Sequence, residues 1–175
     1  MDKMKSKEQP VWDSANPKES LRAQAAWLNE TARITYLKDK FHTELFFFYK
    51  QDGQGAIGQP PAGMDRDQFI PILKESIRQN DIYGVVHVVE SWAYFPRHPN
   101  DHTFKQVTQG EIAVSQLKPG EKSEALMVKV ESRDGLTHVW LSPIVRSPDG
   151  VALADPMEIT EPTGGRLGSL FVGLD

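Results

Sequence analysis

The sequence predicts an α+β fold, an antiparallel sheet of four to five strands with two helices packed on one face. Three observations carry this. Apolar residues recur at helical spacing over 17–38 and again after Asp65. Runs rich in β-branched and aromatic residues fill 44–49, 82–95, 125–131 and 136–145. Arg133-Asp134-Gly135 and Ser147-Pro148-Asp149-Gly150 stand between or after such runs at hairpin distance, which imposes antiparallel pairing.

Residues 1–13 are polar and without period apart from Val11 and Trp12, so they read as a mobile arm. The first helix follows: Asn16 and Glu19 stand three apart as a capping box, and Pro17 suits the first helical position. Leu21, Ala25, Leu28 and Ala32 share its apolar face. Glu44–Tyr49 is a short strand closed by Asp52-Gly53, and the glycines and prolines of 53–63 make a loop. Asp65 and Gln68 offer a second capping box for a helix to about Asn80, buried through Phe69, Leu73 and Ile77. Pro71 implies that this helix starts late or kinks.

From Ile82 to Phe95 the chain reads as one long strand, with His87 and Glu90 on opposite faces. Residues 96–122 form a polar connection with a short strand at 112–114. The hairpin around Asp134-Gly135 comes next, and a flexible glycine-rich tail occupies 163–175. Residues 14–162 are then a single domain, with no internal repeat.

The 175 residues carry 20 basic and 24 acidic side chains, a net charge of −4. Residues 106–175 hold 6 basic and 10 acidic groups, so the excess is C-terminal and no basic stripe exists to meet phosphates. Nucleic-acid binding is therefore not expected. With no cysteine, disulfides, thiolate metal sites and cysteine nucleophiles are excluded. No apolar run reaches the length of a membrane span, and the N-terminus is too polar for a secretory signal. The expectation is a soluble cytoplasmic protein without a cofactor.

Candidate chemistry is sparse. His98, Asp101 and His102 place two imidazoles and a carboxylate within five residues, ligand types for zinc, iron or manganese. Pro99 puts them on a loop, which removes the stacking a helix would give an HxxxH pair. Arg97-His98-Pro99 also lacks the first histidine of the His-x-His-Pro element of JAMM metalloproteases, which excludes that assignment. Glu90, set among Val88, Trp92 and Tyr94, is the candidate acid–base residue, and His138 on the hairpin strand can neighbour either it or His87, depending on register. Gly164-Gly165-Arg166-Leu167-Gly168 matches neither a P-loop nor a dinucleotide fingerprint.

Val88-Val89-Glu90-Ser91-Trp92-Ala93, the Pro119–Leu126 segment and Glu131-Ser132-Arg133-Asp134-Gly135 together span about 82–146. This pattern resembles small bacterial and phage-borne proteins of unknown function. The resemblance implies a sheet and no activity.

The function expected from these features is a non-enzymatic interaction module that docks on a protein partner. Trp12 and the tail residues Leu170 and Phe171 are its candidate contacts, with homo-oligomers left open. The alternative is a metal-dependent or acid–base enzyme built on Glu90, His98, Asp101 and His102. A third reading is a small-molecule pocket lined by Trp92, Tyr94 and Trp140.

Overall fold

The computed structural model of the chain describes residues 7–161 and 169–174. Three α-helices surround a curled antiparallel sheet. In chain order the elements are α1 (Pro17–Asp39), β1 (Leu45–Tyr49), β2 (Gly55–Gly58), α2 (Arg66–Gln79) and β3 (Gly84–Ala93). They continue with α3 (His102–Thr108), β4 (Ser123–Ser132), β5 (Thr137–Ser147), β6 (Gly150–Leu153) and β7 (Met157–Ile159). Six strands lie in the order β2-β1-β3-β4-β5-β6, and β7 pairs with β5. The sheet is therefore larger than four to five strands. The additional pieces are short: β2 lies in the glycine-rich loop, and β6 and β7 follow one another along β5.

The helices do not share one face. Leu21, Ala25, Leu28, Ala32 and Tyr36 of α1 pack on Val86, Val88, Leu126, Val128 and Val130. Leu73 and Ile77 of α2 pack on Phe46 and Val85, whose side chains leave the opposite side of the same strands. The cause lies in β3. In Val85-Val86-His87-Val88-Val89 both alternating sets are buried, and a strand apolar on both sides requires cover on both.

Local chemistry explains the element ends. Asn16 precedes α1 without a side-chain cap bond; its amide instead donates to Asp13 at 2.7 Å, so the expected box does not form. The Asp65 carboxylate does cap α2, accepting from Asp67 N–H at 2.8 Å. Pro71 lies inside α2, which starts at Arg66 and continues through it. Between β4 and β5, Gly135 takes φ 89°, and Asp134 accepts from the Tyr83 hydroxyl at 2.9 Å.

Residues 7–13, expected to be a mobile arm, lie along α1 and the β1–β2 turn. The Trp27 indole donates to Lys7 O at 2.8 Å, and the Gln24 amide donates to Pro10 O at 2.6 Å. Trp12 stacks on Tyr49 with ring centres 5.5 Å apart. Residues 1–6 of the expected arm, 163–168 and 175 of the expected tail, and residue 162 before it lie outside the described residues. Leu170 is buried in the α2 cluster, with Phe171 and Leu174 packed against it. No described helix is long and apolar enough to cross a membrane.

Candidate functional site

On the sheet face that carries α2 there are two apolar clusters. One lies under α2; the other joins Val89, Ala93, Ala125, Met127, Val139 and Leu141. Between them runs a row of buried ionisable side chains. His87 of β3 sits in register with Lys129 of β4, and Glu131 follows two residues on, so all three leave the same face.

His87 is packed flat on Phe46, with ring centres 4.1 Å apart and planes within 4°. Its Nε2 lies 2.8 Å from Glu44 Oε1, and the same carboxylate oxygen accepts from Arg66 Nη2 at 3.0 Å. Burial pushes the His87 imidazole below its ordinary range, against the Glu44 bond, which acts the other way. Burial alone would raise Glu44; the His87 bond and the Arg66 charge outweigh it and hold the carboxyl below its usual range. Both directions are met by a neutral imidazole donating Nε2–H to an ionised Glu44. Lys129 Nζ lies 3.4 Å from Glu131 Oε1, and Glu131 Oε2 accepts from Leu170 N–H at 3.3 Å. Burial pulls the Lys129 ammonium below its usual range, and Glu131 works against that shift. The buried Lys129–Glu131 pair adds little stability compared with an apolar pair of the same shape.

Beyond this row, over the second apolar cluster, the structure holds a cavity of about 470 Å³. Its floor is the sheet, through Met127, Val139, Leu141 and Ile159. Its cover is the segment after β3, through Phe104, Val107, Ile112 and Val114. That segment contains α3 and two short 3-10 turns, at Val114–Gln116 and Pro119–Glu121, in place of the expected strand at 112–114. Asp101 fixes the cover. Its carboxylate accepts from Arg97 N–H at 2.9 Å, from the Tyr94 hydroxyl at 2.8 Å and from Phe104 N–H at 3.2 Å, capping α3. The Arg97 amide, outweighing the cost of burial and helped by Tyr94 and Phe104, lowers its pKa to about 2.

The sequence-predicted site residues fall apart in space. Asp101 has its oxygens committed to the cover, while His98 and His102 are exposed. Among the described residues no group of three His, Asp or Glu could hold a metal ion. Glu90 and His138 point to the α1 side, but their register partners on β4 are Leu126 and Val130. Four residues along a strand amount to roughly 13 Å, too far for a joint role. The Glu90 carboxylate accepts from His42 N–H. His138 stacks on Trp140 at 3.9 Å, with Nε2 3.4 Å from Glu158.

Of the three aromatic residues expected in a pocket, Trp92 and Tyr94 line the cavity and Trp140 does not. Trp140 belongs to the α1 core and donates to Glu158 at 2.6 Å. Trp92 is half exposed, with Lys122 Nζ 5.6 Å from its ring centre. Sequence reasoning missed Glu44, Arg66, Lys129 and Glu131. The available signal was Lys129 standing alone in Leu126-Met127-Val128-Lys129-Val130, where alternation makes it share a face with Met127. The chain matches no family model, no curated protein and no solved structure.

Proposed function

We propose that the protein is a binding module for a small, mostly apolar molecule held in this cavity. The observation that carries the reading is the cavity itself. Its 470 Å³ fall within the roughly 300–1,000 Å³ of ligand sites, and its walls are largely apolar with few polar groups. The free-end docking features expected of an interaction module are otherwise engaged: Trp12 packs on Tyr49, and Leu170 is buried beside α2. Docking on a protein partner is still supported by exposed apolar side chains, among them Ile57 on the edge strand β2 at 67% and Val172 of the tail at 68%.

The test is titration with Nile red, a neutral dye that fluoresces in apolar sites. Saturable binding at one dye per chain is expected. Ser91 lies half-buried on the cavity wall, so Ser91→Trp should fill the space and abolish binding while the melting temperature holds. Binding that Ser91→Trp leaves intact would place the dye elsewhere and overturn the reading.

A further inference from the structure

We infer that the natural occupant is an amphipathic monocarboxylate, an apolar body with a single carboxylate head that takes its place beside Arg66 and Lys129. This rests on the reading of the cavity as a ligand site.

The charge of the lining carries the inference. Among the described residues, every charged side chain that lines the cavity is a cation: Arg66, Lys122 and Lys129. Among them no aspartate or glutamate lines it, although the chain as a whole is acidic. The carboxylates that partner two of these cations, Glu44 and Glu131, stand outside the lining. Among these lining groups an ammonium head would meet only like charges. A neutral head could accept from the cationic donors, but without the added strength of an ionised acceptor.

The three cations are not equivalent. Lys129 lies in register with His87 on the neighbouring strand, and Arg66 shares the Glu44 carboxylate oxygen with His87, so both cations flank the same buried histidine at the α2 end of the site. Lys122 stands over Trp92, which is half exposed. Arg66 commits one Nη2–H to Glu44, and a guanidinium carries five N–H donors in a planar fork. A carboxylate is the head group whose two oxygens match that fork. Arg66 also lines a second, smaller cavity of about 50 Å³ together with Glu44, Phe46 and His87, so it stands between the ligand space and the buried histidine. The apolar end of the ligand then lies over Met127, Val139 and Leu141, beneath Phe104 and Val107. This arrangement separates head from body along one cavity.

The experiment is displacement of Nile red by decanoate, decanol and decylamine, each below its micellar concentration. The three share a chain and differ in the head. On the unmodified protein, decanoate is expected to displace at a concentration at least about tenfold lower than decanol, the scale of one charge-assisted contact. Decylamine is expected to be the weakest of the three. In Arg66→Gln the decanoate advantage should fall to within about threefold of decanol, with decanol itself unchanged. Decanol equal to or better than decanoate on the unmodified protein overturns the carboxylate assignment while the cavity reading stands. The same holds for an advantage that survives Arg66→Gln. If Nile red does not bind at all, the cavity reading fails and this inference fails with it. The head-group ranking needs no variant, so a misfolded Arg66→Gln does not remove the test.

Discussion

Gly84 of β3 faces Leu21 of α1. A Cβ on it would lie 2.2 Å from Leu21 Cδ2 and 3.2 Å from Leu21 Cγ, and Leu21 is fully buried. Gly84→Ala is therefore expected to destabilise, and Leu21→Ala in the same chain should relieve most of that cost. A double-mutant cycle by urea denaturation checks the coupling, and strict additivity would show that the contact relaxes freely. Leu28, 5% exposed in the same layer, should cost about 2–4 kcal/mol as Leu28→Ala. These apolar positions were legible in the sequence because helical spacing marks a face regardless of what covers it. The polar row was not. His87, Lys129 and Glu131 alternate as an exposed strand face would, and only tertiary cover makes them buried.

At the scale of elements, the helices and long strands follow their periods closely: α1 runs Pro17–Asp39 against the expected 17–38. Segments without period behaved differently. Residues 7–13 have no apolar stripe, yet Trp12 anchors them alongside the bonds from Trp27 and Gln24, stacked on Tyr49 and donating to Gln51 O at 3.1 Å. Gly53, with φ 88°, admits it, since a Cβ there would come within 2.5 Å of Trp12 Cγ. Trp12→Ala is expected to cost about 1–3 kcal/mol, read from denaturant midpoints; no change would show the segment to be dispensable. One carboxylate holds the start of the cover. Asp101→Ala should speed amide exchange over 102–116 while leaving β4 and β5 protected, because one bond it removes caps α3 at Phe104 and the other two hold Asp101 to Tyr94 and Arg97. Loop periodicity could not announce this cover, whose apolar residues Phe104, Val107, Ile112 and Val114 are scattered among polar ones.

For the whole molecule, the decisive feature is a sheet buried on both sides, with α1 filling one face and the other shared between α2 and the cavity cover. The buried His87–Glu44 pair links that face to pH. Unfolded, the imidazole titrates near its ordinary value of about 6.5; folded, burial holds it lower. Above about 6.5 both states are neutral there and stability is full. As pH falls below that value the unfolded chain takes up a proton that the folded chain resists, and stability is lost. Glu44, held below the usual carboxylate range, adds a loss of the same sign further down, as pH falls through its folded value. The melting temperature should thus fall as pH drops below about 6.5, and His87→Gln, which retains a donor for Glu44, should flatten this upper part of the curve. An unchanged slope would remove His87 from the explanation.

The central claim is that the cavity between β3–β5 and the α3 segment receives an apolar ligand. Methyl NMR tests it most directly, with Met, Leu and Val labelled and decanoate added. Shifts confined to Met127, Val139, Leu141, Val107 and Val114 are the expected result, with Leu28 and Val128 of the α1 face unmoved. Shifts on the α1 face, or none at saturating ligand, would contradict it.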